Sequence, residues 1–211
     1  MFLNAHTHHA KDEFLEVYNL TLGEEIHTWF SVGIHPWHSA NALNSIHLIE
    51  NLIQLKGCLA IGETGLDSLR GPELKDQIIV FHKHIVLSEK YQLPMMIHCV
   101  RCWNDLKSIR HTVKPTQEWV FHGASKASLI EDIIREGLTL SIGADIIKNE
   151  ALQLKLKSVP LDKILVETDD SNISIEVIYA KIAKIFEISI ETLQLQIEQN
   201  FKRIFTKWNN G

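Results

Sequence analysis

The sequence predicts an α/β fold, a (β/α)8 TIM barrel with shortened first βα connections. Two observations predict it. Eight short apolar runs are spread along the 211 residues, and amphipathic helical patterns fill the later gaps between them. Runs that stay apolar without alternation suit parallel strands buried on both faces. Strands that alternate with helices imply a parallel sheet, and eight of them fit a closed barrel.

The expected strands cover residues 2–8, 15–22, 28–34, 58–63, 94–99, 118–121, 138–142 and 164–168. The segments 9–14 and 23–27 are too short for full helices, which gives the shortened first connections. A helix is expected over 73–91, where Leu74, Ile78, Phe81 and Ile85 recur at helical spacing. The same spacing predicts helices over 103–111, 126–136, 149–157 and 174–186. Gly137 follows the third of these five as a C-terminal cap signal. A last helix is expected over 191–205, with Leu193, Ile197, Phe201 and Ile204 on one face. No repeat, low-complexity tract or linker interrupts the pattern, so 1–211 is read as one domain.

Composition narrows the function classes. The chain is 45% hydrophobic and 22% charged, with a formal net charge of -5. That balance gives no general grip on nucleic acid, so a phosphate-bearing substrate needs a local site or a metal. No run of 18 apolar residues predicts a membrane span. Met1-Phe2-Leu3-Asn4 lacks the charged n-region of a signal peptide. Three cysteines argue against a disulfide framework and point to the reducing cytoplasm. The single CxxC of Cys99 and Cys102, without a second pair, is read as structural.

The chemistry lies in polar residues at the ends of apolar runs. His6 and His8 end the first run, and residues two apart in a strand point to one side. His9 points to the other side and is left out. His35 follows the third run, Glu63 ends the fourth, His98 the fifth, His122 the sixth, and Asp169 the eighth. In a parallel barrel these C-terminal ends share one face. Burying such groups is costly unless they are paired or hold a metal. Four imidazoles and two carboxylates, His6, His8, His98, His122, Glu63 and Asp169, are ligands of the type that hold Zn, Mn, Mg or similar divalent ions. Six ligands exceed one tetrahedral site, so two ions about 3.5–4 Å apart are expected. Glu63 is placed to bridge them. His6, His8 and Asp169 complete one, and His98 with His122 the other.

The ordered motifs resemble the TatD family of metal-dependent hydrolases, within the amidohydrolase-like TIM barrels. They are Asn4-Ala5-His6-Thr7-His8, Gly33-Ile34-His35-Pro36, Gly62-Glu63-Thr64-Gly65-Leu66-Asp67, Pro94-Met95-Met96-Ile97-His98-Cys99, Phe121-His122-Gly123, Glu167-Thr168-Asp169 and Asn200-Phe201-Lys202-Arg203-Ile204-Phe205. The resemblance implies the same six ligands. It also implies hydrolysis of phosphoester bonds, with DNA or another phosphoester as substrate. Three departures stand out: Asn4 in place of the family's leading Asp, Gly123-Ala124-Ser125-Lys126 after His122, and Asp170-Ser171-Asn172 after Asp169.

On this reading the metals activate a water, with Glu63 and Asp169 as catalytic carboxylates and Asp169 as general base. His35 and Arg101 are expected to bind the substrate phosphate. Of five tryptophans, Trp37 is the one placed at the rim to stack on a base. No membrane association and no obligate protein partner are expected. The alternatives are an amidohydrolase acting on a small C–N substrate and a non-catalytic metal-binding barrel.

Overall fold

A computed structural model describes residues 1–11, 15–40 and 42–210. In chain order the elements are β1 (Leu3–Thr7), β2 (Leu15–Leu20), β3 (Phe30–Val32), α1 (Ile46–Ile53), β4 (Cys58–Asp67), α2 (Leu74–Tyr91), β5 (Met95–Val100) and α3 (Trp103–Val113). There follow β6 (Trp119–Phe121), α4 (Ile130–Arg135), β7 (Thr139–Ile142), α5 (Glu150–Leu156), β8 (Ile164–Val166), α6 (Ile175–Phe186) and α7 (Ile190–Ile204). Each expected run carries a strand, and from β3 onward a helix or helical turn follows every one. Every residue of β1, β4 and β8 is buried, as strands covered on both faces must be.

Three differences have physical causes. The fourth strand runs four residues past the expected end, because Thr64, Gly65, Leu66 and Asp67 are all buried despite their mixed polarity. Glu63 is therefore inside a strand, not at its tip. The helix expected over 126–136 opens as a 3-10 turn, Ala127–Leu129, before α4. Helix α1 was not expected. Its N-cap Ser45 makes no side-chain capping bond, although Ile46, Ile49, Leu52 and Ile53 recur along it at helical spacing. No helix lies between β1 and β2 or between β2 and β3 among the described residues. The turn expected over 9–14 falls partly on 12–14, outside them. No helix of the described residues is long and apolar enough to cross a membrane.

The chain packs as two compact units, one of residues 1–18 and 121–204, the other of 19–120 and 205–211. In the first, β1 pairs with β2 and β7 with β8, both parallel. An isolated parallel bridge, Thr7 to Asp169, joins the end of β1 to the segment after β8. Buried Tyr179 on α6 clasps β1: its hydroxyl accepts from Leu3 N–H at 3.2 Å and donates to Leu3 O at 2.9 Å. Asn200 on α7 donates to Leu161 O and Ile164 O at 2.7 and 2.8 Å, tying the helix to the start of β8. Gly137, at φ +84, ends α4 as the sequence predicts, and Leu138 N–H donates back to Ile133 O at 3.3 Å.

In the second unit β3, β4 and β5 are parallel neighbours, with Gly65 opposite His98. Helix α2 packs on β4, and its Phe81 meets Trp119 edge-on at 5.4 Å.

Candidate metal clusters

In the first unit the backbone itself brings three candidate ligands together. Asp169 N–H donates to His6 O at 3.0 Å, and His8 N–H donates to Asp169 O at 3.2 Å. Asp169 is thus laddered onto β1 between the two histidines, in a left-handed conformation at φ +54 that Asp tolerates. Its Oδ1 lies 3.6 Å from His6 Nε2 and 3.5 Å from His8 Nε2. Those separations are long for hydrogen bonds. They match ligands of one tetrahedral ion, which at bond lengths of about 2.1 Å stand about 3.4 Å apart. The donor set also fits, with two imidazoles and a carboxylate oxygen all within 4.8 Å of one another.

His122 follows β6 in the same unit. Its ring centre is 4.6 Å from that of His6, and its Nδ1 is 3.7 Å from Glu167 Oε1. Glu167 is fully buried and accepts Gly123 N–H at 2.6 Å. Burial pushes its carboxyl up, but the contact and charge of His122 and the charge of His6 outweigh burial and hold it below the usual carboxylate value.

The second unit holds another cluster of His35, Glu63 and His98. His98 Nδ1 is 2.6 Å from Glu63 Oε1, and His35 Nε2 is 3.2 Å from the same oxygen and 3.3 Å from His98 Nδ1. Each member is oriented from behind. His35 Nδ1 accepts Trp37 N–H at 3.2 Å, which turns Nε2 toward Glu63. Glu63 N–H donates to Asn19 Oδ1 at 2.8 Å. His98 Nε2 faces Asp67 Oδ2 at 3.4 Å, the carboxylate-behind-histidine arrangement that fixes ring orientation in metal sites. Burial pushes Asp67 up, but hydrogen bonds from the Trp37 indole and Leu69 N–H, with those of His98, hold it below the usual value.

His6, His8 and Asp169 stand together as expected, and so do Glu63 and His98. His35, expected at the substrate phosphate, stands with Glu63 and His98. His122 stands beside His6 and Glu167. Arg101 is exposed just past β5 at φ +55 and joins neither group among the described residues. His9 turns away to Asp170 at 2.7 Å. The sequence reading missed Asp67, Glu167 and Asn19 as supporting groups. Glu167 lay near the end of the expected run 164–168, much as Glu63 ended its own, whereas Asp67 fell beyond the expected run and joins β4 only in the structure. No signal marked Asn19. Cys99 and Cys102 are free, and burial pushes the Cys99 thiol up to about 12, so neither is a poised nucleophile.

The profile of the TatD-related DNase family matches residues 2–206. The chain belongs to that family. A protein of Buchnera aphidicola subsp. Baizongia pistaciae named as an uncharacterized metal-dependent hydrolase is 30% identical over 200 residues, which is 83% of this chain and 73% of that protein. A putative deoxyribonuclease TATDN1 homolog of Vairimorpha ceranae is 32% identical over 165 residues, 74% of this chain. The chain spans 58% of that relative's length, and 60% of a further Buchnera relative's. The crystal structure of a TatD homolog from Escherichia coli K12 superposes with a TM-score of 0.73 at 18% identity, covering 84% of this chain and 76% of its own. That likeness shows the fold, the α/β barrel class expected from the eight runs. Two of the three departures from the TatD pattern, Gly123-Ala124-Ser125 and Asp170-Ser171, line one cleft in the first unit, of about 330 Å³.

Proposed function

We propose that this TatD-family chain is a divalent-metal-dependent hydrolase of phosphoester bonds, a phosphodiesterase or deoxyribonuclease of the cytoplasm. The observation that carries the reading is the His6, His8 and Asp169 cluster, whose spacing suits one cation. The His35, Glu63 and His98 cluster supplies a second donor set of the same chemistry. The relatives' names, metal-dependent hydrolase and putative deoxyribonuclease, support the chemistry and the substrate class.

The cleft beside Asp169 sharpens the argument. Asp145, Glu167, Asp169 and Asp170 line it, and no lysine or arginine does among the described residues. An anionic phosphoester is repelled there unless cations intervene. A bound divalent ion would polarise the phosphoryl oxygen and lower the pKa of its water. Asp169, held between His6 and His8 by the backbone ladder, would take the proton of that water. His122 and Glu167 form the wall behind His6. The C–N alternative, with a carbamylated lysine on the fourth strand, lacks its lysine, since β4 contains none.

The test is elemental analysis of the purified protein with a phosphodiesterase, exonuclease and amide panel, repeated for Glu63→Ala and His122→Ala. Bound Zn, Mn or a similar ion and phosphodiester turnover lost in both variants is the expected result. Full activity in both, or turnover of acyl-amino acids alone, overturns it.

A further inference from the structure

Arg70 stands in the loop after β4, beside the His35, Glu63 and His98 cluster, on a frame built from buried groups. Gln77 on α2, 1% exposed, holds that loop from within. Its Oε1 accepts Asp67 N–H at 2.8 Å, and its Nε2 donates to Asp67 O at 2.8 Å, Pro72 O at 2.9 Å and Arg70 O at 3.2 Å. The Asp67 carboxylate holds it from the other side. Oδ1 accepts Leu69 N–H at 2.8 Å and Arg70 N–H at 3.2 Å, while Oδ2 accepts the Trp37 indole N–H at 2.6 Å and faces His98. Gly71, at φ +88, presses the loop onto the turn before it, where a Cβ would lie 2.8 Å from Trp37 Cα and 2.9 Å from Pro36 O.

On this frame the Arg70 guanidinium lies 4.9 Å from the centre of the Trp37 ring, within cation–π range. The Trp37 ring in turn meets that of His35 edge-on at 4.6 Å. Arg70 is exposed and makes no ion pair with a carboxylate among the described residues. A guanidinium is permanently charged and carries five donors in a fork that matches phosphate geometry. Here that fork is held in place beside a candidate cation cluster and its charge is left uncompensated.

We propose that Arg70, seated on Trp37, is the arm that binds a substrate phosphate, the part the sequence reading assigned to Arg101. The proposal rests on the phosphoester reading above and deepens it. It makes the substrate a strand with a further phosphate beside the one under attack, gripped by an arginine rather than by a cation. Trp37 acts as a positioning residue by seating the guanidinium, and Asp67 ties both to His98.

Two probes test it on metal-loaded protein: inorganic phosphate and a fluorescently labelled single-stranded oligodeoxynucleotide. Arg70→Ala is expected to weaken both about tenfold. It should also reduce the slope of log affinity against log salt for the oligonucleotide by about 0.7, the share of one phosphate contact on a single strand. Arg70→Lys should recover part of the loss, since charge returns without the fork. Trp37→Leu should lose phosphate affinity as Arg70→Ala does. Wild-type phosphate affinity in Arg70→Ala, or no phosphate binding by the wild type, overturns the proposal. Loss of phosphate affinity in Arg70→Ala, with a wild type that neither binds nor cleaves the oligonucleotide, keeps the arm and removes the nuclease reading. The two failures are therefore told apart.

Discussion

Asn4 and Thr168 are joined by two hydrogen bonds running in opposite directions. Asn4 Nδ2 donates to Thr168 Oγ1 at 2.9 Å, and Thr168 N–H donates to Asn4 Oδ1 at 3.0 Å. The Thr168 hydroxyl passes its own proton to Thr7 Oγ1 at 3.0 Å. All three residues are buried; Thr7 lies between His6 and His8, Thr168 precedes Asp169, and Asn4 stands two residues before His6. The residue that replaces the family's leading Asp is thus a clamp that sets where Asp169 meets β1.

Asn4→Ala leaves the Thr168 amide and hydroxyl short of partners in a buried site, which costs about 1–3 kcal/mol. Urea unfolding should show that loss, and titration with Zn or Mn should show about tenfold weaker binding as Asp169 loosens. Asn4→Asp keeps an acceptor for Thr168 N–H and lets the hydroxyl turn its proton to the carboxylate. That variant should retain metal affinity within about threefold. Equal losses in both variants would show that the amide donor, not the shared acceptor, sets Asp169.

Gly65 is the second position where backbone geometry serves a ligand. It lies at φ +150, and a Cβ there would fall 1.9 Å from His98 O. The obstacle is backbone, so β5 must move at His98. Gly65→Ala should cost about 3 kcal/mol, the upper range for overpacking. Gly23 provides the control, at φ +95 with nothing within 4 Å of its Cβ. Gly23→Ala should cost about 1 kcal/mol, from backbone strain alone. Similar unfolding midpoints for the two variants would refute the close approach.

These relationships show which parts of the molecule were legible in the sequence. The buried strands were, because β1, β4 and β8 are apolar enough to stand out even with histidine or glutamate inside them. The trio of His6, His8 and Asp169 was also legible, since it needs only strand alternation and the adjacency of the first and last strands. The place of His35 was not. It depends on a turn after β3 that aims Nε2 back at Glu63, and on the register of three strands. The supporting groups Asn19 and Gln77 were hidden for a similar reason. An amide on a strand or helix shows no pattern until packing decides what it faces. Helix α1 was legible in the spacing of Ile46, Ile49, Leu52 and Ile53, but no capping bond at Ser45 marks its start.

Cation removal should be visible in stability as well as in activity. A ligand that binds only the folded chain stabilises it by about 2.7 kcal/mol at a hundred times its Kd. For a chain of this size that corresponds to about 8 °C in Tm. Chelation of metal-loaded protein should lower Tm by at least that amount, and added Zn or Mn should restore it. His8→Ala should start lower and respond less. A melting curve indifferent to chelator would argue that the clusters hold no ion.

His84 supplies the clearest dependence of stability on pH. It is fully buried on α2, and its two nitrogens have fixed roles. Ile34 N–H donates to Nε2 at 3.0 Å, so Nε2 must carry a lone pair; Nδ1–H donates to Val80 O at 2.9 Å. Protonation would put a hydrogen on Nε2 against the Ile34 amide and a charge in a fully buried site, where Nδ1 already faces Val80 O and, at 3.1 Å, the Thr64 hydroxyl. Burial accordingly pushes the His84 pKa down from 6.5 to about 4, against the smaller pull of the Val80 carbonyl. The sign follows from linkage. Between these values the unfolded chain binds the proton and the folded chain does not, so stability falls as pH falls. The contribution is complete above about pH 6.5, decays toward pH 4, and amounts to about 3 kcal/mol at one pKa unit per 1.4 kcal/mol. Urea unfolding of chelator-treated protein across pH 7 to 4 should show it against His84→Gln, whose amide can make both bonds but does not titrate. The wild type should lose up to about 3 kcal/mol more than the variant across that range. Parallel curves would mean that His84 is free to charge in the folded state, and that the Ile34 amide, one residue from His35, is not held by it.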